Sequence, residues 1–350
     1  MIRATAPGRC GLVGNPTDMY GGSVLSCSTR ERAFCTLEPG GDATTIAVSG
    51  RTQTLRSQQD LALQPGDFLN VARAALSALG VDPAQAAPFR LRAETEIPMQ
   101  AGLAGSTAIL ACIVGCLLAH LGRTPSPYET VELVRATEYD VLGIVCGFQD
   151  HSMAVFGGLN FMDFRGKRSD QAPNGETPLV TIEPLSPYVD TPPLVLAHTG
   201  VRHHSGSVHT SPRERWLRGE PAAVDGYLEV AQLARIAKRA LLSRDWDALA
   251  RAMTRNHAVV RDLGGSGEAN ERLIDAALGG GALAAKLAGA GGGGTILALT
   301  LDPERTVAAL EMAGAEAILY PKPGPGLTVS EGRNPPRFGT PPRRRAADAK

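Results

Sequence analysis

The segment from Gly102 to Leu121, GLAGSTAILACIVGCLLAHL, most strongly limits the folds open to this chain. Its apolar part, Ala108–Leu121, has nonpolar residues on nearly every face of a helix, which predicts a helix buried nearly all round. The run is too short for a comfortable membrane span and contains His120. We therefore expect a buried core helix and no membrane partner.

Glycine, serine and threonine stand where this helix begins, although glycine disfavours helices. Glycines at this place let backbone N–H groups approach a ligand closely, and a helix N-terminus favours anions. Ser106 and Thr107 would lie in the first turn, where a hydroxyl can hold Mg²⁺ or a phosphate oxygen. The sequence has no GxxxxGK[ST] motif, so this is not a Walker A loop. A helix simply capped by serine is the alternative.

Alternating and helical apolar patterns divide the rest of the chain into elements. The predicted strands are Arg3–Gly14, Gly22–Leu37, Thr44–Val48, Phe89–Thr95, Leu159–Phe164, Pro193–His198, Thr295–Leu301 and Ala317–Tyr320. The predicted helices besides 102–121 are Asp67–Gly80, Ser126–Leu142, Gln149–Phe156, Glu220–Leu242, Trp246–Leu263, Glu268–Leu278 and Pro303–Ala313. Residues 165–193 have no periodicity and indicate a connection between two domains.

Charge and cysteine content exclude several classes of protein. The 35 basic and 35 acidic residues give no net charge, so nothing favours nucleic acid or an anionic membrane as a partner. The six cysteines form no CxxC pair, and no signal peptide is apparent, which favours reduced thiols and a cytoplasmic location.

A second glycine cluster lies in KLAGAGGGGTILAL, residues 286–299. Five glycines within six residues before an apolar strand are hard to explain by packing, and ordering them costs conformational entropy that a bound ligand or a close backbone approach can offset. Gly291 and Gly292 are the candidate ligand contacts. A flexible turn is the alternative.

Carboxylates form a second group of candidates. In APGRCGLVGNPTDMYGG, a turn presents Asn15 and Asp18, although local Asx turns would also use them. In ATEYDVLGIVCGFQDH, Glu138 lies near the end of a helix and Asp150 begins the next. One carboxylate to hold a metal and one to accept a proton are what phosphoryl transfer needs. A helix cap for Asp150 and a solvated face for Glu138 are the alternatives.

The polar segment HTGVRHHSGSVHTSPRERW contains four histidines without the spacing of a zinc site, so we favour a substrate loop over a metal site. Arg213 and Arg215 could each bind a carboxylate or a phosphate through two hydrogen bonds. Surface arginines that begin a helix are the alternative.

Three of these stretches, in this order, resemble the three signature motifs of the GHMP kinases: APGRCGLVGNPTDMYGG, IPMQAGLAGSTA and KLAGAGGGG. The resemblance implies a two-domain α+β fold, with a ribosomal-protein S5 domain 2-like N-terminal domain and a ferredoxin-like C-terminal domain. We expect these at residues 1–185 and 186–328, followed by a disordered tail, 329–350.

The resemblance also implies roles for residues. Asp150 would be the catalytic aspartate with Arg9 beside it, and Asp18 and Asn15 would contact the substrate. Ser106 and Glu138 would hold Mg²⁺. ATP would lie in the cleft with its phosphates on the second motif, and the ATP-binding residues would be Gly102, Leu103, Ala104, Gly105, Ser106, Thr107, Gly291 and Gly292.

GNPTD and VHTSPRERWLRGE resemble glucuronokinase, whereas KLAGAGGGG is closer to the mevalonate and heptose kinases. We therefore expect an ATP- and Mg²⁺-dependent kinase that phosphorylates the anomeric oxygen of a uronic acid or related sugar. A mevalonate-kinase-type or heptose kinase, the decarboxylase branch of the superfamily, and a non-catalytic ATP and sugar sensor are the alternatives. The expected partner is a small sugar or sugar acid, and a homodimer is left open.

Overall fold

The computed structural model describes residues 1–170, 177–201, 210–289 and 294–332. A large mixed sheet forms the N-terminal domain, with strand order β12-β1-β2-β5-β3-β4, and with β6 and β7 continuing it beside β2. Its strands are β1 (Ile2–Val13), β2 (Ser23–Pro39), β3 (Thr44–Val48), β4 (Arg51–Leu55), β5 (Phe89–Thr95), β6 (Leu159–Asp163), β7 (Thr181–Pro184) and β12 (Thr328–Glu331). Neighbouring strands are antiparallel except β3 and β5, which run parallel.

Helices cover this sheet and build the second domain. They are α1 (Asn70–Ala78), α2 (Gly105–His120), α3 (Pro127–Ala136), α4 (Gln149–Phe156), α5 (Thr210–Leu217), α6 (Pro221–Leu242), α7 (Trp246–Asp262), α8 (Glu268–Gly279) and α9 (Pro303–Met312). Helix α2 packs on β1 and β2 and is buried along almost its whole length, as its composition predicts. None of the described helices combines the length and apolar character that a membrane span needs.

The C-terminal domain contains an antiparallel sheet with order β11-β8-β10-β9. Its strands are β8 (Leu194–His198), β9 (Ala284–Leu287), β10 (Thr295–Leu299) and β11 (Ala317–Leu319). Alternate residues of β8 serve two cores: Val195 and Ala197 pack with α8 and α9, while Leu194 and Leu196 join the main core. Helix α7 packs on β9 and also contacts β1, so it links the two domains.

The structure confirms the two-domain α+β fold and adds elements that the sequence analysis missed. Strand β7 lies within the predicted connection 165–193, and β4, β9 and α5 were also not predicted. Residues 329–331, expected in the tail, instead belong to β12, which pairs with the edge of β1. The prediction was wrong there because exposed edge strands carry no apolar pattern. All six cysteines are among the described residues and are free thiols, as expected.

Candidate active site

A cleft of about 930 Å³ opens between the β3–β4 hairpin, the start of α2 and the loop before α4. Its size suits a small-molecule ligand. It brings together most of the residues that the sequence singled out: Arg9, Asn15, Asp18, Gly102, Ala104, Gly105, Ser106, Thr107, Glu138 and Asp150. A shallower cavity of about 700 Å³ between β6, β7 and α6 contains none of them.

Arg9 and Asp150 form a charged pair at the base of the cleft. Arg9 extends from β1, and its Nε and Nη2 atoms each lie 2.7 Å from Oδ1 of Asp150. Its third nitrogen, Nη1, donates to the carbonyl of Gly102 at 2.5 Å. The Arg9 side chain is buried and that of Asp150 is 30 % exposed. One guanidinium thus joins the carboxylate to the glycine turn before α2.

Asp18, and not Asp150, caps helix α4. Its Oδ2 atom accepts hydrogen bonds from the backbone N–H groups of Phe148 at 2.8 Å and Gln149 at 2.9 Å. A side chain at Gly147 would collide with this carboxylate, which explains the glycine there. Burial raises the pKa of Asp18 to about 6, and the charge of Asp150 adds to the shift. The alternative of Asp150 as helix cap is therefore wrong.

The start of α2 has the features of an anion site. Ala104 precedes the helix in the left-handed conformation, at φ 60°, and no side chain among the described residues caps the helix N-terminus. Ser106 lies inside the helix and lines the cleft, so the capping alternative is wrong. A Cβ atom at Gly105 would contact Ile97 and Met99. Leu103 is buried and contributes backbone to this turn.

Thr107 and Glu138 meet beside this turn. The Thr107 hydroxyl donates to Oε2 of Glu138 at 2.9 Å, and the same oxygen lies 2.8 Å from Nε2 of His151. Glu138 is buried in a π-helical turn, Thr137–Val141, a feature common at functional sites. The solvated-face alternative for Glu138 is therefore wrong. A carboxylate next to hydroxyls is a donor set that suits Mg²⁺.

The backbone of the third motif packs closely against that of the second motif at two glycines. A Cβ atom on Gly289 would lie 2.3 Å from the carbonyl oxygen of Gly102, and one on Gly294 would lie 2.8 Å from that of Ala101. These positions therefore require glycine for close backbone packing. Gly291 and Gly292, the predicted ligand contacts, lie outside the described residues.

Lys286 ties the first motif to the third, and sequence reasoning missed it. Its buried ammonium donates to Gly11 O at 3.1 Å, to Oδ1 of Asn15 at 2.9 Å and to the carbonyl of Leu287. Nδ2 of Asn15 donates to Gly289 O at 3.2 Å. Asn15 therefore links the two motifs as well as lining the cleft. A lysine inside the apolar strand β9 was the available signal.

Neither Arg213 nor Arg215 lines the cleft. Arg215 donates from Nε to Glu220 at 2.9 Å and from Nη1 to Leu263 O at 3.2 Å, so its guanidinium is already occupied within the protein. The expected substrate contact at Arg215 is therefore wrong. Arg213 lies within electrostatic reach of Tyr20, near the Asp18 turn. Of the four histidines, 203, 204 and 209 lie outside the described residues.

Comparison with known proteins identifies the class. The model of the GHMP kinases N terminal domain matches residues 68–158, and that of the GHMP kinases C terminal domain matches residues 237–317. A mevalonate kinase from Pyrococcus horikoshii is 30% identical over 244 residues, which cover 68% of this chain and 67% of the relative. The chain belongs to the GHMP kinase superfamily, the class of phosphotransferases that its motifs predicted.

Among the relatives is the probable glucuronokinase 2 of Arabidopsis thaliana, 36% identical over 210 residues. This match covers 58% of the chain and only 55% of the relative's own length. A solved D-glycero-D-manno-heptose 1-phosphate kinase from Bacteroides thetaiotaomicron shares the fold, with a TM-score of 0.71 and 22% identity over 95% of this chain and 100% of that one.

Proposed function

We propose that this protein transfers the γ-phosphoryl group of ATP to a sugar hydroxyl, with Asp150 as the proton acceptor. The observation that carries the proposal is the Arg9–Asp150 pair. Arg9 occupies Oδ1 of Asp150, and Oδ2 has no partner among the described residues. A substrate hydroxyl can therefore donate its proton to Oδ2 while the guanidinium holds the carboxylate in place through Oδ1.

The reaction follows from this arrangement. The acceptor oxygen attacks the γ-phosphorus as its proton passes to Asp150, and the bond between the γ-phosphorus and the bridging oxygen of ADP breaks. The backbone N–H groups at the start of α2 stabilise phosphate oxygens, since that helix end is not capped by a described side chain. Most of the rate gain comes from positioning and electrostatic stabilisation.

Mg²⁺ would be held by Glu138 together with the hydroxyl of Ser106 or Thr107. Thr107 already contacts the carboxylate, whereas Ser106 lines the cleft one residue earlier. When bound, the cation neutralises charge on the β- and γ-phosphates. In this arrangement Thr107 orients Glu138, and Ser106 would supply the hydroxyl ligand.

The acceptor that we favour is a uronic acid, phosphorylated at its anomeric oxygen. The likeness to glucuronokinase supports this choice. Selectivity for a carboxylate needs a cation near Asp18, and Arg213 is better placed than Arg215, whose hydrogen bonds are already made. A mevalonate-type acceptor, which also carries a carboxylate, is the second candidate, because the mevalonate kinase relative is matched over two thirds of its length.

Product chemistry tests the assignment. After incubation with ATP and D-glucuronate, phosphorylation of the anomeric oxygen removes the reducing end of the sugar, and mild acid restores it. A product that stays reducing would place the phosphate on another hydroxyl and contradict the anomeric assignment. Mevalonate as the parallel acceptor separates the two candidates in one experiment.

A further inference from the structure

Three side chains of different donor types converge on one side of the cleft. The carboxylate of Glu138, the thiol of Cys146 and the imidazole of His151 have ligand atoms that all lie within 4.8 Å of one another. Nε2 of His151 is 2.8 Å from Oε2 of Glu138 and 4.0 Å from the Cys146 sulfur. Nε2 is therefore the ring nitrogen that faces the other two donors, and Nδ1 has no hydrogen-bond partner among the described residues.

Independent elements hold the three donors in place. Glu138 lies in the π-helical turn, His151 in the first turn of α4, and Cys146 in the loop between them. The Asp18 carboxylate fixes the end of that loop through the N–H groups of Phe148 and Gln149. The cluster therefore does not depend on one flexible side chain.

Access from the cleft and local charge favour a cation at this cluster. His151 and Glu138 are buried, whereas Cys146 is half-buried and lines the cleft, so an ion can enter from the cleft. The charged groups that act on the sulfur include the carboxylates of Glu138, Asp150 and Asp18 and the guanidinium of Arg135. Arg9 pairs with Asp150, so the Arg135 guanidinium is left to oppose two carboxylates. Their sum is negative, which attracts a divalent cation.

We propose that Glu138, Cys146 and His151 form a binding site for a thiophilic divalent cation, with Zn²⁺ as the expected occupant. A sulfur, nitrogen and oxygen donor set suits Zn²⁺, whereas Mg²⁺ prefers oxygen ligands only. Binding replaces the thiol proton and the hydrogen bond between His151 and Glu138 with bonds to the metal, and it releases the thiol proton to solvent. Three protein ligands leave a fourth position open towards the cleft.

Glu138 is also the proposed magnesium ligand, so the two cations cannot use it together. Zn²⁺ bound here withdraws Glu138 from the phosphates and inhibits phosphoryl transfer. This consequence rests on the proposed function, whereas the binding site does not.

Cobalt binding tests the site without any turnover. Co²⁺ titrated into the metal-free full-length protein should produce a thiolate-to-cobalt charge-transfer band that saturates at one equivalent, because Co²⁺ accepts the donors that Zn²⁺ uses. Cys146→Ser should abolish the band, and His151→Gln should weaken binding at least about tenfold. Cys116→Ala, a buried cysteine on α2, and His120→Gln are the matched controls and should leave the band unchanged.

Absence of the band in the wild type, or its survival in Cys146→Ser, would overturn the site. Thermal melting followed by circular dichroism shows whether each variant is folded. The test depends mainly on Cys146→Ser, because a half-buried position tolerates this substitution. In an assay with ATP and sugar, Zn²⁺ should inhibit the wild type at concentrations at least about tenfold lower than Cys146→Ser, and added Mg²⁺ should relieve the inhibition. If the protein binds Co²⁺ but transfers no phosphoryl group, the metal site is supported and the proposed kinase function is contradicted.

Discussion

Arg9 binds Asp150 through a single carboxylate oxygen: two of its nitrogens lie 2.7 Å from Oδ1, while Nη1 donates to the Gly102 carbonyl. One side chain therefore orients the proposed base and also anchors the turn on which we place the phosphates. Arg9 makes both contacts from β1. The central sheet therefore sets the position of the Asp150 carboxylate relative to the proposed phosphate site.

Asp150→Asn should lower kcat by about 10²–10⁴, because the amide keeps the size of the side chain but cannot accept the proton. ATP affinity, measured by calorimetry, and the melting temperature should change little. Asp140→Asn, at an exposed position nearby, is the matched control and should retain full activity. Turnover close to that of the wild type in a folded Asp150→Asn protein would remove this residue from the mechanism.

Gly289→Ala should destabilise the protein by about 1–3 kcal/mol, because its Cβ atom would lie 2.3 Å from the Gly102 carbonyl oxygen and force the motifs apart. The displaced carbonyl also binds Arg9, so kcat should fall together with stability. Urea unfolding and steady-state kinetics measure the two effects. Gly279→Ala, where a Cβ atom would meet nothing within 4 Å, is the control and should be neutral or slightly stabilising. Equal behaviour of the two variants would contradict the packing argument.

Asp18 should give the activity a dependence on pH near 6. Burial raises the pKa of its carboxyl to about 6 in the folded protein, so only above this pH can it accept a hydrogen bond from the substrate as a carboxylate. The KM for the acceptor should therefore fall by about tenfold as the pH rises through 6. Asp18→Asn, which can still accept the hydrogen bonds from Phe148 and Gln149, should show no such change.

The free energy of unfolding should also depend on the Asp18 carboxyl group, but a rise in pH should lower it. The folded protein holds the Asp18 proton more tightly than the unfolded chain, where the pKa is about 3.9. The free energy of unfolding, taken as the wild type minus Asp18→Asn, should therefore fall as the pH rises from about 4 to about 6. Urea unfolding at several pH values measures this difference, and a difference that rises over the range would contradict the assignment.

Arg213→Ala should cost about 2–4 kcal/mol in kcat/KM for a uronic acid and little for a neutral sugar, because a charged hydrogen-bond pair with the carboxylate is lost. Arg215→Ala is the matched control, since its guanidinium is held by Glu220 and the Leu263 carbonyl. It should leave the ratio of acid to neutral activity unchanged. Equal losses on both substrates in Arg213→Ala would argue against a carboxylate contact at this position.

Segments with a strong local pattern were predictable from the sequence. The long apolar run of α2 and the short apolar run of β10 predict their own structure, because residues that are apolar on all faces indicate an element buried on all faces. Strand β12 has exposed residues throughout and is defined by its pairing with β1. Such a strand forms because it pairs with a sheet edge that is distant in the sequence, so its own residues show little pattern.

In the site, too, some features could be predicted from the sequence and others could not. The motifs located Arg9, Asp18 and Asp150, but the sequence could not decide which of two adjacent hydroxyls meets Glu138. Neighbouring helical residues point in directions about 100° apart, so the answer depends on where the π-helical turn places the carboxylate. The contacts of Lys286 and the capping of α4 by Asp18 likewise join positions more than 100 residues apart.

Release of ADP from ATP over a panel of acceptors tests the central claim most directly. The panel consists of glucuronate, galacturonate, galactose, fucose, heptoses and mevalonate, each with Mg²⁺ and with wild-type protein or Asp150→Asn. The account predicts ADP formation that requires a sugar acceptor, is fastest with a uronic acid and falls by about 10²–10⁴ in Asp150→Asn. No acceptor-dependent ADP release with any sugar, or equal release by both proteins, would contradict it.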